Sequence, residues 1–285
     1  MIKVSKNNLN NIAFQGQSGA YSELACTEVF PEMQTVPCEN FEDAFEAVIN
    51  GTTKYAMIPI ENSRAGRVAD TQRLIPESKL KIIGEYFLEV NHCLLAIPGT
   101  NINEIKRVHS HEQAIAQCRK NIIKNKKDMV VAADTAGAAK MISKMQSNED
   151  AAIASRLAAE TYNLDIIEKN FQDSEINITR FLIMSKSDIV PNKEEKNVMT
   201  TLVFETKSIP AALYKSLGGL ASNGVNMTKL ESYINPQGFD VAQFYADIEG
   251  HPDSRNVKLA LEEMKFFCKR IDILGVYKMS NFRKK

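Results

Sequence analysis

No stretch of this chain approaches eighteen consecutive apolar residues, and residues 1–11 are rich in lysine and asparagine without an apolar core. Neither a membrane helix nor an export signal is expected. Neither sign of charge prevails: 35 lysines and arginines face 35 aspartates and glutamates. No bulk field therefore draws the chain to nucleic acid or an anionic membrane, and any anion it binds must be gripped locally. Cysteine is sparse and odd in number. Cys26, Cys38, Cys93, Cys118 and Cys268 are widely spaced and mostly sit inside apolar runs, the pattern of reduced packing thiols in a cytoplasmic protein rather than of bridges. Metal partners are lacking too, since His109 and His111 have no cysteine or carboxylate partners at ligand spacing, so no metal is expected. The glycine stretch at residue 16 is missing the third glycine of a dinucleotide fingerprint, and no phosphate loop occurs, so no cofactor is expected either.

Apolar residues are plentiful, 44% of the 285, enough for a packed core and for more than one domain. They fall into short strand-like runs, each handing over to small polar residues and then to a helical pattern. Ile12 to Phe14 leads into Gly16-Gln-Ser-Gly-Ala-Tyr-Ser22, which is either a plain tight turn or an anion site at a helix start. Tyr55 to Ile60 leads into Glu61-Asn-Ser-Arg-Ala-Gly-Arg67, where Asn62 and Ser63 cap a helix or donate to a ligand carboxylate. Ile105 to His109 leads into Ser110 and a single amphipathic helix through Ile122, with Gln113 and Gln117 one turn apart. Met129 to Ala133 leads into Asp134, the expected N-cap of a helix to Met145, and Ala151 to Ala154 leads into Ser155 and a helix from Arg156 to Tyr162. Ser18, Asn62, Ser110, Asp134 and Ser155 thus fall along the carboxyl edges of parallel strands, where open α/β sheets bind ligands. Two such lobes facing one another make a cleft of amides, hydroxyls and helix starts with almost no titratable side chains, suited to a dicarboxylate. His92 reads as satisfying a backbone group.

Within the strand-like run from Ile176 to Met184, Asn177-Ile-Thr-Arg-Phe181 interrupts the apolar pattern. Adjacent strand residues point to opposite faces, so one of Thr179 and Arg180 meets a ligand while the other braces it, or both are ordinary strand residues.

The strings Gly16 to Ser22, Ile60-Glu-Asn-Ser63 with Gly66, Ser110-His111 with Gln113 and Gln117-Cys118, Asp134 to Ala139, and Asn177 to Leu182 together resemble the prephenate dehydratase family, over Ile12 to Tyr277. The strings around Gly16 and Asp134 are similar to those of arogenate dehydratases as well. The resemblance implies a two-lobed, periplasmic-binding-protein-like catalytic domain over residues 1–187, its lobes crossing near 88–92 and 170–178. It implies conversion of prephenate to phenylpyruvate with loss of water and carbon dioxide, without a cofactor. Thr179 would assist departure of the ring hydroxyl. Asn62, Ser63, Ser110, Gln117, Thr135, Arg180 and Phe181 would bind substrate, Arg180 as a charge-assisted partner of a carboxylate, and Ser18, Gly19 and Ala20 would offer backbone amides. The family commonly carries proline at Gln17 and serine or threonine at Ala20. Because a neutral hydroxyl acts through orientation rather than titration, activity is expected to vary little between about pH 6 and 9.

Past Met184 the chain turns polar, and residues 188–197 read as a linker. Residues 198–285 follow the order βαββαβ, a ferredoxin-like arrangement. In this setting they resemble an ACT domain, which implies L-phenylalanine as effector and a homodimer or homotetramer. Pro210-Ala-Ala-Leu213 matches the family's Gly-Ala-Leu segment with Ala211 in place of glycine. Glu231-Ser232 matches the start of Glu-Ser-Arg-Pro, with Tyr233 and Ile234 replacing the rest. Ala211, Ala212, Leu213, Asn226, Met227, Glu231 and Ser232 are the effector residues so implied. Arogenate dehydration is the competing enzymatic reading, and a non-catalytic amino-acid or dicarboxylate binder the competing class. The missing export signal and the appended sensor argue against the binder.

Overall fold

The computed structural model describes residues 10–174, 176–234 and 242–284. The chain divides into two compact units, residues up to 72 with 86–181, and residues 73–85 with 182–285.

The first unit contains two sheets. In one, β1 (Asn11–Gln15) pairs in parallel with β2 (Gln34–Cys38) and with β3 (Tyr55–Asn62). The next strand beyond β3 is β11 (Ile178–Ser185), whose later residues belong to the second unit. Helices α1 (Tyr21–Val29) and α2 (Phe41–Ile49) cover this sheet, and the Asn40 side chain caps α2 by accepting from the Asp43 amide at 2.7 Å. After β3 the chain does not enter a helix directly. It doubles back as β4 (Gly66–Arg67), pairing Asn62 with Gly66, before α3 (Ala69–Ser78) begins. Strand β2 contains Pro37 and lies at the sheet edge, where a missing amide donor is tolerated.

β5 (Lys81–Glu89) then leads to β6 (Cys93–Ala96), the first strand of the other sheet. That sheet runs β10-β6-β9-β7-β8, with β7 (Arg107–Ser110), β8 (Asp128–Val131), β9 (Asp150–Ala154) and β10 (Asp165–Glu168). β7 is parallel to β8 and β9, while β6 is antiparallel to β9 and β10. Strand alternation builds a core on each face. Leu94, Ala96, Val108 and Ile153 meet Ile115, Cys118 and Ile122, whereas Cys93, Leu95, Ala152 and Ala154 meet Ala138, Ile142 and Ala158.

The helix expected from Ser110 to Ile122 is two helices, α4 (Glu112–Gln117) and α5 (Arg119–Lys124). The cause is Asp173. Its amide takes the Gln117 carbonyl at 2.8 Å, and its carboxylate accepts from the Lys120 and Asn121 amides at 2.9 and 3.1 Å, capping a new helix start. Asp134 and Ser155 cap α6 (Thr135–Met145) and α7 (Arg156–Tyr162), accepting from the Gly137 and Ala158 amides at 2.6 and 3.0 Å.

The second unit has the order β12 (Val198–Thr206), α8 (Ala212–Ser222), β13 (Met227–Ile234), β14 (Ala242–Glu249), α9 (Arg255–Phe267) and β15 (Cys268–Lys278). The strands lie side by side as β13-β14-β12-β15, all antiparallel, which is the ferredoxin-like arrangement. Phe204, Phe244, Leu220, Val257 and Met264 join sheet and helices in one core. β15 also pairs in parallel with β5 at Gly275 and Ile82, so closely that a Cβ on Gly275 would lie 2.1 Å from the Ile82 carbonyl oxygen. The closing turn, Asn281–Lys284, is pinned by Arg283, which donates to Glu85 at 2.7 and 3.0 Å. Residues 188–197 carry neither helix nor strand. The turn read at Asn235 to Gly238 and the first residues of its returning strand lie outside the described residues.

Candidate functional site

Both sheets of the first unit contribute to a cavity of about 1000 Å³. Its wall is drawn from the β1–α1 turn, the β3–β4 hairpin, the start of α4, the start of α6 and the beginning of β11. Alternation decides which residues at the start of β11 face it: Thr179 and Phe181, with Asn177 just before the strand, line the cavity and Arg180 does not. The Arg180 guanidinium is 1% exposed, 3.1 Å from Glu61, and over the Phe87 ring at 5.9 Å. The carboxylate it faces is the protein's own, which is the bracing role open to one member of the Thr179–Arg180 pair.

Asn62 bends the chain just after β3, its Oδ1 accepting from the Arg64 and Ala65 amides at 2.9 Å each. Its amino group donates to Thr179 Oγ1 and to Asn177 Oδ1, both at 2.9 Å. Asn177 in turn donates to Gln117 Oε1 at 2.8 Å, and His92 Nε2 lies 2.8 Å from the same oxygen. His92 Nδ1 is 2.7 Å from the Tyr21 hydroxyl, which also reaches the Asn91 carbonyl at 3.2 Å. Burial lowers the His92 pKa below the usual imidazole value and pushes that of Tyr21 well up. His92 is therefore engaged by side chains, not by the backbone group expected of it.

The Gly16 to Ser22 turn engages the protein's own groups. The Gly19 amide is taken by the buried Glu23 carboxylate at 2.6 Å and the Ala20 amide by the Gln17 carbonyl at 3.0 Å, so neither is offered to a ligand. The turn's carbonyls instead clasp α7: Tyr162 donates to Ser18 at 2.7 Å and Ser155 to Gly19 at 2.6 Å. Gly19 has φ +87°, and a Cβ there would lie 2.8 Å from Ala158 Cα. Ala20 stands at the N-cap of α1 without a side-chain bond, the structural consequence of having no hydroxyl there.

Ser18, Ala20, Asn62, Gln117, Thr135, Thr179 and Phe181 line the cavity, whereas Gly19, Ser63, Ser110 and Arg180 do not. Ser110 is fully buried and donates to the Ile153 carbonyl at 2.6 Å, a bond across the second sheet. Ser63 ties β3 to β11: its amide donates to the Ile178 carbonyl at 2.8 Å and its hydroxyl accepts from the Ile178 amide at 2.9 Å. It caps no helix.

The wall is more titratable than expected, since Glu39, Arg67, His92, His111, Asp134 and Lys140 all border it. Arg67 and Lys140 are cations within reach of an anionic ligand, and composition gave no means of selecting them among 35. Asp150, which holds Arg107 and His109 at 2.7 and 2.8 Å and is kept well below the usual carboxylate range chiefly by Arg107, is structural. Among the described residues no group of three or more potential ligands could hold a metal ion, and no helix is long and apolar enough to cross a membrane.

The second unit has its own cavity, about 590 Å³, bordered by Thr206 to Tyr214 and Phe244. Ala211, Ala212 and Leu213 line it, but Asn226, Met227, Glu231 and Ser232 do not. Ala211 is in the left-handed region, φ +59°, at the N-cap of α8.

A family model described as prephenate dehydratase matches residues 12–189. Over 274 residues the chain is 47% identical to the bifunctional N-acyl-homoserine lactone acylase/prephenate dehydratase of Komagataeibacter europaeus, covering 96% of this chain and 98% of that one. It is 38% identical to arogenate dehydratase/prephenate dehydratase 2 of Arabidopsis thaliana, a chloroplastic protein, covering 96% and 74%. The solved prephenate dehydratase of Arthrobacter aurescens in complex with L-Phe superposes with a TM-score of 0.85 at 30% identity, covering 94% of this chain and 89% of that one.

Proposed function

From the chain's membership of the prephenate dehydratase family, we propose that it converts prephenate to phenylpyruvate in the first unit's cavity, as a cytoplasmic enzyme. The observation that carries this reading is the bond from Asn62 Nδ2 to Thr179 Oγ1 at 2.9 Å. An oxygen that already accepts leaves its own proton for another acceptor. In this reading that acceptor is the ring hydroxyl of prephenate. As its C–O bond breaks, the C–C bond to the ring carboxylate breaks too, that electron pair completes the aromatic ring, and carbon dioxide leaves. The departing hydroxide combines with a proton of the medium to leave as water, so each turnover consumes one proton. Thr179 donates a hydrogen bond to that oxygen throughout and ends unchanged. Arg67 and Lys140 are the cations placed to meet the substrate's carboxylates.

Purified protein offered prephenate and arogenate in separate reactions tests the reading by appearance of phenylpyruvate or phenylalanine. Prephenate turnover with arogenate at least tenfold slower is expected; the reverse preference makes the chain an arogenate dehydratase, and turnover of neither removes the enzymatic reading. The Komagataeibacter relative's name and the cavity's size motivate a third reaction with an N-acyl-homoserine lactone. Against hydrolysis through a histidine-activated serine, threonine or cysteine, among the described residues neither His92 nor His111 hydrogen bonds to such a side chain. For the second unit we infer an ACT-type regulatory role in a homo-oligomer, with L-phenylalanine as effector at the Ala211 to Leu213 turn, weakened by the Ala211 methyl.

A further inference from the structure

The bonds around Thr179 have a direction, and it can be traced from one fixed end. Backbone amides only donate, so the Arg64 and Ala65 amides fix Asn62 with its oxygen toward them and its amino group toward Thr179 and Asn177. Asn177 must then present its oxygen to Asn62 and its amino group to Gln117. The Gln117 oxygen therefore accepts, and His92 Nε2, which faces the same oxygen, must carry a proton. In a neutral imidazole Nδ1 is then the acceptor, and the Tyr21 hydroxyl donates to it. The sequence of donors leaves one rotamer choice for each amide and one tautomer for the histidine.

The consequence lies at the cavity. With its oxygen held by donors from Asn177 and His92, Gln117 has to turn its amino group away from them. Among the described residues that amino group makes no hydrogen bond, and Gln117 borders the cavity. A flip of the amide would set its N–H groups against two others. Thr179, accepting from Asn62, likewise directs its proton outward.

We propose that His92 and Tyr21 are positioning residues, which hold the Gln117 amide as a donor into the cavity at one end of a hydrogen-bonded chain whose other end orients the Thr179 hydroxyl. The assignment rests on the dehydratase reading for its chemistry. The chain does not carry protons, because the amides of Asn62, Asn177 and Gln117 neither gain nor lose one at neutral pH. Its work is orientation.

The test uses the full-length protein labelled with 15N-histidine. The sequence has four histidines, and His92→Gln assigns the signal of interest by its disappearance. His92 is expected as the Nε2–H tautomer at pH 7.5; an Nδ1–H tautomer or an imidazolium at that pH overturns the proposal. His92→Gln retains an N–H where Nε2 stands, whereas His92→Leu does not. With thermal unfolding as a control, the leucine variant is expected to lose about tenfold or more in kcat/KM, and the glutamine variant to recover most of it. A leucine variant within twofold of wild type, or a glutamine variant no better than the leucine one at equal melting temperature, overturns it. If His92→Leu fails to fold, Tyr21→Phe deletes only the terminal hydroxyl; the Gln117 oxygen still holds the Nε2–H tautomer, and a loss of about threefold or more in kcat/KM at equal melting temperature is the expected result, whereas an unchanged kcat/KM sinks the role of Tyr21. A wild type that turns over neither prephenate nor arogenate removes the proposed reaction, and the tautomer measurement still decides the chain by itself.

Discussion

Thr179 and Arg180 are neighbours with opposite surroundings, a half-buried hydroxyl on the cavity and a fully buried guanidinium behind it. Thr179→Val keeps the branched shape and removes the donor, so kcat is expected to fall by roughly 10²–10³, the magnitude of one preorganised donor. Thr179→Ser keeps the hydroxyl and is expected to stay within about tenfold of wild type; equal activity of the valine variant would remove the hydroxyl from the reaction. The pH profile follows from His92 and Tyr21. Burial favours the neutral imidazole, so the folded value lies below the ordinary 6.5. The neutral form's contribution is complete above that ordinary value and is lost as the pH falls through the lowered one. Burial also raises Tyr21, so it supplies no alkaline limb below about pH 10. The kcat/KM profile should be level from about pH 7 to 9 with its descent on the acid side only, and a bell centred near 6.5 contradicts this. The period-two pattern made the opposite facings of Thr179 and Arg180 legible in the sequence. It could not show that Ser110 spends its hydroxyl on Ile153, or that His92 meets Tyr21 and Gln117, because these partners lie far apart along the chain.

At the scale of elements, the glycine turn after β1 is a clasp on α7. Ser155 does two jobs there, accepting from the Ala158 amide at 3.0 Å and donating to the Gly19 carbonyl at 2.6 Å. Gly19→Ala would combine a left-handed φ with a Cβ 2.8 Å from Ala158 Cα. A destabilisation of about 2–4 kcal/mol is expected, from strain and overpacking together. Ser155→Ala, which forfeits a cap and a clasp, is expected to cost about 1–2 kcal/mol. Urea unfolding monitored by circular dichroism reads both; a Gly19→Ala midpoint equal to wild type would falsify the close approach. The turn itself was readable from its glycines, but its purpose was not, since that depends on a helix some 136 residues further on. The strands that went unread have local reasons. β2 contains a proline, β4 is two residues long, and β10 is a short edge strand. The break between α4 and α5 was invisible because the apolar stripe continues through Cys118 and Ile122, and only Asp173, distant in sequence, interrupts the hydrogen bonding.

Across the whole molecule, the order of strands and helices was read correctly where periodicity and turn residues agree, as in the βαββαβ of the second unit. Its proposed regulation turns on one methyl group. Ala211 holds φ +59° at the start of α8, a conformation that costs an L-residue about 1–2 kcal/mol and a glycine almost nothing. Ala211→Gly relieves that strain while adding about 0.5–1 kcal/mol of unfolded-state entropy, so the net change in stability should lie between about zero and 1.5 kcal/mol in favour of the variant. The same methyl belongs to the wall of the second unit's cavity, which is where the proposed effector would bring its backbone. If it crowds that ligand, isothermal titration of the wild type with L-phenylalanine should show weak binding at millimolar concentration, and the glycine variant should bind at least tenfold more tightly, which is about 1.4 kcal/mol. Strain relief alone cannot produce that difference unless the ligand prefers the relaxed turn. Equal affinities in the two proteins would show that the methyl does not obstruct the ligand. Absence of heat in both would leave the second unit a structural module without this effector.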